Sequence, residues 1–311
     1  MKIREVATGL QFPEGPVAMD DGSVLLVEIA RGTLSRVTPD GRVSVVAELG
    51  GGPNGAAIGP GGDVFVCNNG GFRWHRGKDG SLRPVAQPDD YSGGRIERVN
   101  LATGRFERIY ERVATPDGEF ALRGPNDLVF DADGGFWFTD LGKARARDMD
   151  RGGIYYARAD GGGLHEVLHP VMTPNGIGLS PAGDVVYFAE TESARLWAFE
   201  TTGSGHLHKL PFPSPHGARF IAQPGGVYQR FDSLAVDALG NVLVATLLHG
   251  GITTIAPDGR MLGHFALPDL YVTNLCFGGP DRRTLYATLS QHGRLVAIDG
   301  WPVPGLRLNH Q

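Results

Sequence analysis

The stretch PNDLVFDADGGFWFTD, residues 125–140, contains two short apolar runs that are joined by a turn rich in Asp and Gly. Short runs of Val, Leu, Phe and Trp that are bounded by Gly, Asp or Pro are typical of a β-hairpin rather than a helix. Similar stretches begin at residues 13, 53, 174, 231 and 272. A second hairpin follows most of them, such as GGIYYARADGGGLHEVL at residues 152–168.

Two successive hairpins form a four-stranded antiparallel sheet, which is one blade of a β-propeller. Six copies predict an all-β fold, a six-bladed β-propeller with four-stranded antiparallel blades around a central channel. Equivalent positions in the copies are 40, 72, 49, 57 and 42 residues apart. We expect one domain over residues 1–311, with insertions at about 72–93 and 204–229. We expect the N-terminal segment, residues 2–10, to pair with the last blade, because an unpaired edge strand is a liability.

Composition excludes several classes of protein. Glycine contributes 47 of 311 residues, about twice the usual ~7%, without the three-residue period of collagen. The net charge of −5, with scattered Lys and Arg, is unlike a nucleic-acid-binding surface. There is no apolar core of a signal peptide and no apolar run of membrane-spanning length. We therefore expect a cytoplasmic protein with a small-molecule partner, without nucleic acid or membrane, as a monomer or small homo-oligomer.

The two cysteines, Cys67 and Cys276, are too few for a disulfide framework. We expect two buried free thiols, as is common in a reducing compartment. No G-x-S-x-G elbow supplies a serine nucleophile.

One polar position is shared by all six copies, immediately before the apolar innermost strand. It is occupied by Glu14, Asn54, Asn126, Asn175, Asp232 and Asn274. Because the innermost strands of all blades line one channel, these side chains are expected to converge at its mouth. Two carboxylates with several amide carbonyls suit Ca²⁺ or another hard divalent cation. Alternatively, Asn and Asp at this position only form turns by bonding their own backbone.

Over essentially its whole length, the sequence resembles the gluconolactonase, regucalcin (senescence marker protein) and luciferin-regenerating enzyme family. More distantly it resembles diisopropyl fluorophosphatase. The matching stretches are FPEGPV, GPNDLVFDADGGFWFTD, TPNGIGLSP, FDSLAVDALGNVLVAT and TNLCFGGPDRRTLYAT. The resemblance implies a six-bladed propeller with one divalent metal at the channel mouth, Ca²⁺ first and Zn²⁺, Mg²⁺ or Mn²⁺ as alternatives.

Carried over by position, the resemblance implies that Glu14, Asn175 and Asp232 are metal ligands. Asn126 matches a further ligand in the phosphatase branch and a substrate-contacting Asn in the lactonase branch. The lactonase branch has an Arg two residues before this Asn, whereas Arg123 precedes Asn126 by three residues. We retain Arg123 as a candidate substrate-binding residue.

The implied activity is metal-dependent hydrolysis of a lactone or a related small cyclic ester. The metal would polarise the carbonyl, and Asn126 or Asn54 would donate hydrogen bonds to the oxyanion. Asp232 is the candidate general base, or a nucleophile if the protein instead hydrolyses phosphotriesters. A third alternative is a non-catalytic propeller that binds a ligand or a protein.

Further candidate substrate contacts lie in loops. His249 and His292 follow the second apolar run of their copies and are candidates for substrate contact or for plain rim positions. Trp74, at the start of the first insertion, is expected either in a lid over the channel or in a surface loop. A lid with Trp74 and Tyr91 would favour a less polar substrate, and the second insertion could act in the same way from the other side.

Overall fold

The computed structural model describes all 311 residues and contains six antiparallel sheets of at least four strands. Each predicted pair of hairpins forms one sheet, because the Gly-rich turns reverse the chain between short apolar runs. The six-bladed propeller is therefore confirmed. A single 3-10 turn, Pro60–Gly62, is the only helical element. Nothing in the structure combines the helix length and the apolarity that crossing a lipid bilayer would take.

Strands are numbered in chain order, and each blade is listed from its innermost strand outward. Blade 1 contains β2 (Pro13–Ala18), β3 (Val24–Glu28), β4 (Thr33–Val37) and β5 (Val43–Glu48). Blade 2 contains β6 (Pro53–Ile58), β7 (Val64–Asn68), β10 (Arg95–Val99) and β11 (Phe106–Tyr110). Blade 3 contains β14 (Pro125–Phe130), β15 (Gly135–Asp140), β16 (Gly152–Arg158) and β17 (Leu164–Val171).

The remaining blades follow the same order. Blade 4 contains β18 (Pro174–Leu179), β19 (Val185–Glu190), β20 (Arg195–Gly203), β21 (His206–His208) and β22 (Arg219–Ala222). Blade 5 contains β23 (Arg230–Val236), β24 (Val242–Leu247), β25 (Gly251–Ile255) and β26 (Met261–Ala266). Blade 6 contains β27 (Val272–Gly278), β28 (Thr284–Leu289), β29 (Arg294–Asp299) and β1 (Lys2–Ala7).

Strand β1 closes the ring. It pairs antiparallel with β29, from Lys2 opposite Asp299 to Ala7 opposite Leu295. The N-terminal segment thus forms the outermost strand of the last blade, as predicted, and the first and last residues of the repeat array are held in one sheet.

The apolar core lies between the blades. Six clusters of 10 to 13 buried residues each combine side chains from two neighbouring blades. Between blades 3 and 4, for example, Trp137 and Ile154 pack with Ile177 and Phe188. Because each blade buries both faces against its neighbours, the alternation of polar and apolar residues is weak in the inner strands.

The first insertion forms a separate hairpin of β8 (Arg73–Arg76) and β9 (Leu82–Ala86). A further hairpin, β12 (Arg112–Thr115) with β13 (Gly118–Ala121), lies between blades 2 and 3 and was not predicted. Its turn, Thr-Pro-Asp-Gly, resembles the turns inside the blades, which is why the repeat pattern did not separate it.

The second insertion lies mainly at the outer edge of blade 4. Its strands β21 and β22 both pair with β20, so this segment extends the sheet instead of covering the channel. Phe212 is almost fully exposed, and the Phe220 ring packs on Trp197 at 5.3 Å between ring centroids. Only the end of the insertion returns to the first strand of blade 5, where Arg230 Nε donates to Tyr228 Oη at 3.1 Å.

We predict that Arg95→Met lowers the free energy of unfolding by about 3–5 kcal/mol, since it leaves a buried carboxylate without its partner. Arg95 Nε lies 2.6 Å from Glu97 Oε1, and both side chains are at most 2% exposed. The control is Arg98→Met on the same strand, whose partner Glu107 is more than half exposed. We expect the control to lose at most ~1 kcal/mol. Urea unfolding measures both, and equal losses would contradict the prediction.

Candidate metal centre

The six polar side chains predicted to converge lie at the start of the six innermost strands. All are at least 92% buried; they are Glu14, Asn54, Asn126, Asn175, Asp232 and Asn274. In every blade, the pairing register between the innermost strand and its neighbour is interrupted at this residue or directly after it. Such an irregularity bends a strand and redirects a side chain. A polar side chain is therefore released from the sheet pattern at the same point of each blade.

Side chains from neighbouring blades contact one another at this position. Asn274 Nδ2 donates to Glu14 Oε2 at 2.7 Å, which joins blade 6 to blade 1. Asn54 Nδ2 donates to the backbone oxygen of Asn126 at 3.1 Å, which joins blade 2 to blade 3. Asn175 Nδ2 donates to Thr191 Oγ1 at 3.0 Å, and the Asn175 side chain is close enough to Asp232 of blade 5 to oppose the rise in the pKa of that carboxyl. The structure therefore brings the six residues together at one end of the channel.

The charged forms of the Glu14 and Asp232 carboxylates are electrostatically unfavourable in this environment. Burial raises the pKa of Glu14 well above its ordinary range, and the charges of Asp232 and Asp127 raise it further. Burial likewise raises the pKa of Asp232, although Asn175 opposes the shift. A nearby cation would favour the charged form of both groups.

The donor set fits a hard cation. The Oδ1 atoms of Asn126 and Asn175 are buried and have no hydrogen-bond partner. A buried polar atom without a partner costs about 1–3 kcal/mol, so such atoms need an explanation. With the Glu14 and Asp232 carboxylates they offer four oxygen-bearing side chains, the ligand type of Ca²⁺. No group of three or more His, Cys, Asp or Glu side chains is arranged to hold an ion, so the set depends on the carboxamides.

Asp127 is a third buried carboxylate at this site, and the sequence analysis gave it no role. Its Oδ1 accepts a hydrogen bond from the backbone of Leu128 at 2.9 Å. Burial raises the pKa of Asp127 to about 7. The signal was present in the repeats, since blades 1, 2 and 4 have glycine directly after the site residue, whereas blade 3 has Asp.

The first insertion lies on the mouth side of blades 1 and 6. We call its residues 72–86 the lid hairpin. Leu82 N donates to the backbone oxygen of Gln291 in blade 6 at 2.8 Å. The Trp74 ring lies 4.9 Å from that of Phe12, two residues before Glu14, and Phe12 packs on Tyr271 at 5.8 Å. Trp74 is thus part of an aromatic wall on one side of the mouth.

The remaining candidate residues lie further out. The Arg123 side chain is exposed, while its backbone N–H donates to Asp140 Oδ2 at 2.7 Å. His292 Nδ1 lies 3.0 Å from Asp269 Oδ2, and its Nε2 lies 3.8 Å from Asp79 Oδ2 in the turn of the lid hairpin. His292 therefore faces the lid hairpin rather than the six mouth residues.

His249 is turned toward the outer edge of blade 5. It stacks on His264 of the outermost strand, with 4.0 Å between the ring centroids.

Cys67 and Cys276 are free and buried, as expected. Burial raises the pKa of Cys276 to about 12 and that of Cys67 well above its ordinary range. Neither thiol therefore forms the thiolate that a nucleophile requires.

Comparison with known proteins identifies the family. The family model for the SMP-30/Gluconolactonase/LRE-like region matches residues 12–291. The gluconolactonase of Zymomonas mobilis is 25% identical over 314 residues, which cover 93% of this chain and 79% of that protein. The 6-deoxy-6-sulfogluconolactonase of Pseudomonas putida is 31% identical over 243 residues, 73% of this chain and 79% of that protein.

Solved structures share the fold. A gluconolactonase from Xanthomonas campestris has a TM-score of 0.72 at 22% identity, covering 97% of this chain and 89% of that one. Regucalcin from Agrobacterium tumefaciens, described as a calcium-binding protein, has a TM-score of 0.68 at 20% identity, covering 97% and 95%. The family model spans most of the sequence, and the matched residues include all six mouth residues. The protein therefore belongs to the SMP-30/gluconolactonase/LRE-like family.

Proposed function

We propose that the protein is a divalent-metal-dependent lactonase that opens a sugar lactone or a related small cyclic ester. The observation that carries the proposal is the set of two buried carboxylates and two unpartnered carboxamide oxygens at one end of the channel. The names of the relatives, gluconolactonase and 6-deoxy-6-sulfogluconolactonase, support the substrate class. The calcium-binding neighbour supports Ca²⁺ as the ion.

Glu14, Asn126, Asn175 and Asp232 would hold the ion. When bound, the cation supplies Lewis acidity at the carbonyl and lowers the pKa of nearby water. It also compensates the repulsion between the Glu14 and Asp232 carboxylates, which otherwise favours their protonation.

Asp232 is the proposed general base. One carboxylate oxygen takes a proton from the water that attacks the lactone carbonyl, and the proton then passes to the ring oxygen as the carbon–oxygen bond breaks. Asn54 Nδ2 donates one N–H to the backbone oxygen of Asn126, and its second N–H is the proposed donor to the oxyanion. The aromatic wall of Phe12, Trp74 and Tyr271 limits the access of bulk water on one side of the mouth.

We predict that Asp232→Asn weakens Ca²⁺ binding by more than ~100-fold, because it removes a charged ligand, and even outer partners of metal ligands contribute ~10–100-fold. Isothermal titration of chelator-treated protein measures the affinity. The matched control is Asp20→Asn, an exposed carboxylate in a turn, which we expect to bind Ca²⁺ like the wild type. Wild-type affinity in Asp232→Asn would show that the ion lies elsewhere.

We predict that the Ca²⁺-loaded protein acidifies a pH-indicator assay with at least one member of a lactone panel. The panel contains neutral sugar lactones, a sulfonated sugar lactone and apolar aliphatic lactones. At saturating Ca²⁺, Asp232→Asn should lower kcat by ~10²–10⁴-fold, the usual contribution of general acid–base catalysis. Activity on no lactone with Ca²⁺, Mg²⁺, Mn²⁺ or Zn²⁺ would overturn the proposed function and favour a ligand-binding propeller.

A further inference from the structure

A buried lysine lies behind the channel mouth. Lys143 follows β15 of blade 3, and 98% of its surface is buried. No carboxylate lies within 4.0 Å of Lys143 Nζ. Burial lowers the pKa of Lys143 to about 7, although the charges of Asp140 and Asp150 oppose the shift. Burying an amine without an ion-pair partner costs free energy of folding. The hydrogen bonds that Lys143 makes in return therefore indicate what the residue does.

Both hydrogen-bond partners of Lys143 are acceptors from blade 2. Its Nζ donates to Asn69 Oδ1 at 3.0 Å and to the backbone oxygen of Gly71 at 2.7 Å. The Phe72 ring lies over the amine, with 4.1 Å from Nζ to the centroid. Because both partners only accept, Lys143 donates to them whether it is charged or neutral.

These contacts fix the orientation of the Asn69 carboxamide, which in turn fixes that of Asn54. Asn69 Oδ1 faces Lys143 and also accepts from Gly71 N at 2.8 Å, so Asn69 Nδ2 is turned toward Asn54. Asn69 Nδ2 donates to Asn54 Oδ1 at 3.1 Å. The Asn54 oxygen is therefore occupied, and its Nδ2 is left to face Asn126 in the mouth.

Asn54 thereby differs from Asn126 and Asn175, and it resembles Asn274, whose Oδ1 accepts from Leu275 N at 2.7 Å. The Oδ1 atoms of Asn126 and Asn175 have no partner, which suits a cation. Asn54 Nδ2 instead donates one N–H to the backbone oxygen of Asn126, and its second N–H is left as a donor that suits an anion. One repeated residue type thus supplies free acceptors in blades 3 and 4 and donors in blades 2 and 6, and the blade 6 donor is already bound to Glu14.

We propose that Lys143 is a positioning residue that acts through Asn69 to hold the Asn54 carboxamide with its N–H groups toward the channel mouth. There Asn54 donates to the oxyanion that forms as water attacks the lactone carbonyl, so this inference rests on the proposed function. A competing explanation is that Lys143 only anchors Gly71 and Phe72 at the base of the lid hairpin.

Asn69→Asp separates the two explanations. The aspartate still accepts from Lys143 and Gly71 N, so the base of the lid hairpin stays anchored, but it has no N–H to donate to Asn54. We expect a loss of kcat of at least ~10-fold at saturating Ca²⁺ with little change in KM, and at most the ~10²–10³-fold that one oxyanion donor contributes. Unchanged kcat would overturn the proposal.

Lys143→Met tests the coupling to Asn54. We expect it to lower kcat at least ~10-fold in the wild type but less than ~3-fold in the Asn54→Ala background, because the two residues act as one unit. Lys143→Gln keeps an N–H donor and should restore part of the activity. The control is Lys78→Met, an exposed lysine in the lid hairpin, which should leave kcat unchanged. Equal losses in both backgrounds would favour the anchoring explanation.

A measurement that does not depend on turnover distinguishes a failure of the Lys143 proposal from a failure of the proposed lactonase activity. In ¹⁵N NMR spectra of the Ca²⁺-loaded protein, the side-chain amide signals of Asn54 should shift in Asn69→Asp and Lys143→Met and stay in place in Lys78→Met. Unmoved Asn54 signals in both variants would refute the role of Lys143. If the wild type opens no lactone while these signals shift, the positioning by Lys143 stands and the assigned reaction fails.

Discussion

Around the channel, the backbones of neighbouring innermost strands approach so closely that they leave no space for a side chain at several points. A Cβ on Gly15 would lie 2.7 Å from the backbone oxygen of Asn54, and one on Gly176 would lie 2.6 Å from the backbone nitrogen of Leu234. Gly15 also has a φ of +51°, which glycine adopts without strain. Each of these glycines directly follows a site residue. The distance between site residues on neighbouring blades therefore depends on the close approach.

The same geometry concentrates negative charge. Glu14, Asp127 and Asp232 are buried within electrostatic reach of one another, and burial raises the pKa of each. A propeller without a ligand would gain stability by replacing such residues with apolar ones, since buried charges need compensation. The unfavourable energy of this arrangement is the physical support for the cation proposed at the channel mouth.

The side chains around the channel mouth differ in chemistry from one side to another. The lid hairpin contributes aromatic rings over blades 1 and 6, whereas the second insertion extends the outer edge of blade 4. On the blade 2 side, Lys143 and Asn69 form a buried hydrogen-bonded chain that ends at Asn54. A six-fold repeated scaffold thus carries a site with distinct acceptor, donor and apolar sides, which is what discrimination between substrates requires.

The sequence by itself determined the six blades, the closure by β1 and the strand position of the six mouth residues. Each depends on local signals, namely turn residues and short apolar runs at a repeated spacing. Only the tertiary structure decided which carboxamide oxygens are left without a partner and which accept hydrogen bonds. The orientation of Asn54 depends on Asn69 and on Lys143, 74 positions further along the chain than Asn69. Such an orientation results from hydrogen bonds between blades, and no local pattern records them.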